Sequence, residues 1–179
     1  MRDLKQLRRA CEQRLLGLPV PRPFDLDAFA AAVQEQRGGR RMYILPLPIP
    51  ASEVSPYGMW IATHDEDFVF HEAHTSPLHR AQIVLHELGH MICGHRSDEP
   101  VDIPFLRQLM PDLDPAVVAS TLTHHDHLKR EDEQEAEMFG SLVLEKAGYD
   151  PDPGLAADGL LDRIGDALGH PMRRRERRI

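Results

Sequence analysis

Two histidines four residues apart, His86 and His90, fall inside a stretch whose apolar residues recur at helical spacing, and this limits the fold more than any other feature. Ile83, Leu85, Leu88 and Ile92 carry the pattern. Ser76-Pro77, a capping residue with proline at the first helical position, predicts the start of that helix, and Gly94 predicts its end. Residues four apart share a helix face, so both imidazoles can reach one ion at the roughly 2.0–2.1 Å of a zinc–nitrogen bond. Glu87, next to the first histidine, projects toward a water on such an ion. There it can take the proton as the water attacks a carbonyl, then pass it to the leaving amine. His86 to His90 therefore read as HExxH, which predicts one Zn2+ per chain and hydrolysis of peptide bonds.

Two imidazoles alone make a weak site, because a catalytic zinc takes three protein ligands and keeps a fourth position open. In an extended HExxHxxGxxH pattern a third histidine stands six residues after the second. Here that position is Arg96, and Gly94 comes one place late for the glycine. His95, at the helix end, is expected to satisfy terminal carbonyls, and Cys93 to pack in the core. A carboxylate from a later helix remains, and the run Glu131 to Gly140 offers several. Glu133 is the choice, since Ala136 and Gly140 follow it along one face and Gly89 lies beside His86. Small residues there let two helix backbones close until a short carboxylate reaches the ion. Glu137, one turn on, would orient an imidazole N–H, while Glu131, Asp132 and Glu135 are expected on the solvated side.

The group that steadies the oxyanion is drawn from Tyr57, His64, His71, His74 and His124. The cluster His124-His125-Asp126-His127 supplies a substitute ligand, an oxyanion donor, or no more than a polar connector.

Leu4, Leu7, Cys11, Leu15 and Leu18 recur at helical spacing over about 3–17, ahead of a proline-rich connector. Asp25 can cap a helix over about 26–37 that Gly38-Gly39 stops. Arg41 to Leu47 reads as a strand that Pro46 and Pro48 end or confine to a sheet edge. Gly58 to Thr63 and Phe68 to His71 read as a hairpin turned by His64-Asp65-Glu66-Asp67. Beyond the motif helix, further helices are expected at about 103–110, 114–123, 128–147 and 155–168. The class is α+β, with helices around a small antiparallel sheet. At 179 residues a single domain over 1–171 suffices: N-terminal helices 3–37, a core at about 40–147 and the C-terminal helix.

The net charge of −8 argues against a nucleic-acid footprint over the whole surface. Residues 172–179 carry five arginines and one glutamate, so the rest of the chain stands at −12 and the tail reads as a solvated basic segment. Two cysteines build no disulfide framework, and no run is long enough to cross a bilayer or resembles a signal peptide; the chain is expected in the cytoplasm.

The segments Ala81 to His95 (AQIVLHELGHMICGH) and Glu133 to Leu144 (EQEAEMFGSLVL) together resemble the ImmA/IrrE metallopeptidase family. The second stretch departs from that family's ExxANxFA, with Glu137 in place of asparagine and Gly140 in place of the last alanine. The resemblance spans about residues 40–147. It implies a minimal gluzincin-type zinc peptidase whose substrate is a partner helix-turn-helix transcriptional repressor. A zinc-containing regulator or toxin–antitoxin component that binds its DNA-binding partner without cutting it is the competing expectation. A strand before the motif helix, FVFH or GMWIAT, could take an extended substrate by β-augmentation.

Overall fold

The computed structural model describes residues 3–48, 57–96, 103–111 and 129–149. The helices expected at 114–123 and 155–168, the His124 cluster and the arginine tail lie outside the described residues.

The first helix, α1 (Leu4–Arg14), starts where Asp3 accepts a hydrogen bond from the Lys5 N–H at 3.3 Å. Its predicted apolar stripe is the buried one: Leu7, Cys11, Leu15 and Leu18 are 0–6% exposed, and only Leu4 lies outside. The next, α2 (Leu26–Gln36), is capped by Asp25, which accepts from Ala28 N–H at 2.9 Å, and buries Phe29, Ala30 and Val33.

Three strands follow: β1 (Arg41–Pro46), β2 (Gly58–Ala62) and β3 (Glu66–His71). The sheet is mixed, in the order β1-β3-β2, and not antiparallel as expected. β2 and β3 form the anticipated hairpin, but β1 runs parallel to β3, with Tyr43 opposite Phe68 and Leu45 opposite Phe70. Local patterning marks strands without naming their neighbours. The chain between Pro46 and Gly58 is long enough to place β2 two strand spacings from β1, and β3 fills the gap between them.

The hairpin turn is also shorter than expected. Thr63 N–H bonds Glu66 O at 2.9 Å, which leaves Glu66 and Asp67 in the strand. Asp67 is fully buried and accepts from Arg37 at 3.0 Å, Arg40 Nε at 2.8 Å and the Trp60 indole N–H at 3.0 Å. Arg40 also donates to the carbonyls of Thr63, His64 and Glu66, fastening the turn to the end of α2.

The motif helix α3 (Pro77–Cys93) begins at Ser76, whose hydroxyl accepts from His79 N–H at 3.2 Å. It ends at Gly94, where a φ of 72° places the chain in the left-handed region that glycine enters without strain. Two further helices are α4 (Ile103–Leu109) and α5 (Arg130–Ala147). One core gathers α1, α2, α3 and α5 against the sheet face carrying Trp60, Ala62 and Val69. On the opposite face, Met59, Ile61 and Phe70 pack with Leu106 and Leu109 of α4. This two-sided cover explains why every residue of β2 is buried. Among the described residues no helix is long and apolar enough to cross a membrane.

Candidate metal centre

Packing of α3 on α5 positions the centre, and the small residues set how closely the two helices approach. A Cβ added at Gly89 would lie 2.8 Å from the Ala136 carbonyl oxygen and 2.9 Å from its Cα, both backbone atoms that no rotamer change can move. Gly140 is less demanding, since a Cβ there would meet Leu85 Cβ at 3.5 Å, an ordinary contact. Gly58, the first residue of β2, makes room on the other side of α3. A Cβ there would stand 2.5 Å from Ile83 Cγ2 and 2.8 Å from Glu87 Oε1. A helix and a strand that carry no side chain at these points can lie against the motif closely enough to enclose it.

The structure brings three of the expected ligands together. His86 Nε2 and His90 Nε2 are 2.9 Å apart. Glu133 Oε2 lies 3.3 Å from His86 Nε2, and Glu133 Oε1 lies 3.7 Å from His90 Nε2. Donors held about 2.0–2.1 Å from one ion at tetrahedral angles stand about 3.3–3.4 Å from each other. The three separations bracket that value, and the group could hold a metal ion. Two imidazoles and a carboxylate form the mixed nitrogen–oxygen donor set that zinc accepts. His90 is fully buried, whereas the Glu133 side chain is 37% exposed, so the centre opens to solvent on the Glu133 side. Glu87 sits next to it in sequence and is only 2% exposed.

The other ring nitrogen of His90 reveals a residue whose role the sequence did not show. His90 Nδ1 lies 2.9 Å from Nδ1 of His95. For His90 Nε2 to face an ion, its proton must sit on Nδ1 and donate to His95. His95 then carries its own proton on Nε2, facing Glu135 at 3.5 Å and Asp132 at 3.7 Å. Burial lowers the His95 pKa, which favours the neutral ring able to accept that hydrogen bond. The expectation that its side chain serves the helix-end carbonyls is corrected: the backbone N–H of His95 does so, bonding His90 O at 3.0 Å. At the His90 ring His95 stands where an orienting acceptor would; Glu137 is half-buried one turn beyond Glu133.

Glu135 is a second correction. Expected on a solvated face, it is 3% exposed and paired with Arg14 of α1 at 3.1 Å. Arg14 also donates to the Ile92 carbonyl at 3.3 Å, so one guanidinium ties α1 to both α3 and α5.

The oxyanion candidates scatter. His64 is exposed in the β2–β3 turn beside Asp65, and His74 is exposed ahead of α3. His71 ends β3, buried, with Nδ1 on the Glu72 carbonyl at 2.8 Å and Nε2 accepting from Arg80 at 3.2 Å. Tyr57 precedes β2, with its ring 6.4 Å from that of His79. Of the two strands considered for substrate pairing, FVFH is excluded because β3 has partners on both edges. β2 is an edge strand among the described residues.

Comparison with protein-family models, with curated proteins and with solved structures gives no match.

Proposed function

We propose that this chain is a zinc-dependent endopeptidase of the ImmA/IrrE type, with His86, His90 and Glu133 as the zinc ligands and Glu87 as the general base. The observation that carries this reading is the convergence of three side chains from two helices, with donor separations of 2.9, 3.3 and 3.7 Å, and the burial of Glu87, the neighbour of His86 in sequence. Zinc held there supplies a Lewis acid that polarises a scissile carbonyl and makes water a stronger acid near neutral pH. Glu87, in a water-poor setting against Gly58, accepts the proton of the attacking water and delivers it to the departing amine. His95 keeps the His90 ring in the tautomer that turns Nε2 to the ion. An extended substrate added to the β2 edge would run past the end of that strand where Gly58 meets Glu87. The substrate class we infer is a helix-turn-helix transcriptional regulator, on the strength of the resemblance in residues 81–95 and 133–144.

The test is Glu87→Gln, purified and incubated with the helix-turn-helix regulator encoded nearest its own gene. Cleavage seen with the native chain is expected to vanish in the variant, while its zinc content stays that of the native chain. Retained cleavage removes Glu87 from the mechanism. A stable complex in which the native chain leaves the partner intact turns the reading to a regulator that acts by binding.

A further inference from the structure

Behind the His86–His90–Glu133 group, where α1, the end of α3 and the first turns of α5 meet, lies a second set of ligand-type side chains, with His95 and Glu135 buried and Cys93 half-buried. One ligand atom each from Cys93, His95 and Glu135 lies within 4.8 Å of the others. Cys11 joins from α1, fully buried, with Sγ 3.5 Å from the Glu135 carbonyl oxygen. Its thiol is close enough to that of Cys93 to raise the Cys93 pKa. His95 Nε2 is buried without a hydrogen-bond partner, and it is aimed at the Glu135 carboxylate 3.5 Å away. A packing role alone would be met by apolar side chains of the same size, without the desolvation that buried charge and imidazole incur.

We propose that Cys93, His95 and Glu135, with Cys11 as the fourth ligand, form a second metal site for a thiophilic divalent cation such as zinc or cadmium. Thiolate, imidazole and carboxylate are the donors that such cations take in closed tetrahedral sites. The charges balance on binding. Two thiol protons leave as one dication enters, in a pocket where Arg14 already neutralises Glu135. The Cys93 thiol is pushed well above its ordinary range by the Cys11 thiol and by burial, so it holds its proton until a cation displaces it.

The second site also bears on the first. An ion on His95 Nε2 requires the His95 proton on Nδ1, and an ion on His90 Nε2 requires the same of His90. With both filled, two N–H donors would face each other across 2.9 Å. Occupancy of the thiol site therefore weakens the first centre. Only this coupling rests on the function proposed above; the thiol site stands without it.

The experiment adds cadmium(II) to the reduced protein and follows cadmium–thiolate charge-transfer absorption in the ultraviolet. The expected result is a band saturating at one thiolate-bound ion per chain, in the native protein and equally in Glu133→Gln, where the first centre is impaired. Cys93→Ser and His95→Gln, with folding checked by circular dichroism, are each expected to weaken binding on the order of 100-fold, as loss of one ligand of four implies. Absence of the band from the native chain overturns the proposal, as does undiminished affinity in Cys93→Ser. Should that variant not fold, unchanged affinity in His95→Gln overturns it. A chain that never cleaves a regulator leaves this band untouched, so the two readings fail separately.

Discussion

One added methyl group at Gly89 should part the two helices that carry the proposed metal ligands. The new Cβ would start 2.8 Å from the Ala136 carbonyl oxygen, and ordinary contact begins near 3.4 Å, so α3 and α5 must separate by about 0.6 Å. Overpacking of this kind costs about 1–3 kcal/mol. The better helix propensity of alanine returns about 1 kcal/mol of that. A net loss near 1 kcal/mol corresponds to about 2–4 °C in melting temperature for a chain of this length. The effect on metal is larger in proportion. Glu133 lies one turn before Ala136, and ligand distances tolerate errors of only about 0.2 Å. Zinc affinity should therefore fall about 10–100-fold, as when a ligand's support is removed. Gly140→Ala is the control, because its Cβ would meet nothing closer than 3.5 Å. It keeps the propensity gain, about 0.5–1 kcal/mol, and should leave zinc affinity unchanged. Calorimetric melting of the metal-free proteins and competition with a chelating dye read both quantities. If Gly89→Ala melts at or above the native temperature and holds zinc as tightly, close helix approach does not build the centre.

Three further outcomes follow. Asp67→Ala strips the carboxylate from Arg37, Arg40 and Trp60 and leaves two guanidinium groups facing a gap; urea unfolding should show a loss of about 3–5 kcal/mol, and a loss under about 1 kcal/mol would deny the node its structural role. Because burial lowers the His95 pKa from 6.5, the unfolded chain binds that proton more readily. Its contribution to the stability of the metal-free protein should be complete above pH 6.5 and decline as pH falls through the lowered folded value; His95→Gln should flatten that part of the profile. The Arg8–Glu145 pair, with both side chains nearly half exposed, should matter little: Glu145→Gln is expected to change stability by less than about 1 kcal/mol, and a larger change in the same unfolding assay would count against that ranking.

Much of this was readable before any coordinates. The α1 stripe, the caps at Asp25 and Ser76, and the glycine stop at Gly94 are local signals, and local structure follows them. Glu133 stood out because Ala136, Gly140 and Gly89 predicted a close helix crossing, and the Gly89–Ala136 approach is that crossing. What stayed hidden depends on residues distant in sequence or on a local reversal of the chain. Glu135 reads as a surface charge until Arg14, 121 residues earlier, is seen beside it. Asp67 reads as a turn residue until Arg37 and Arg40 arrive from the end of α2. His95 follows the left-handed Gly94, and only the reversal there returns its ring to His90. The parallel pairing of β1 with β3 leaves no mark in either strand, since alternation fixes a strand's faces but not its neighbour.

The central claim is that two imidazoles of one helix and a carboxylate of another share a single cation. Zinc-edge anomalous diffraction from crystals of the Cys93→Ser chain, in which the thiol site is disabled, tests it most directly. One peak is expected, within about 2.0–2.2 Å of His86 Nε2, His90 Nε2 and a Glu133 oxygen. A density map that shows zinc elsewhere, or that leaves Glu133 turned away from both rings, contradicts the account.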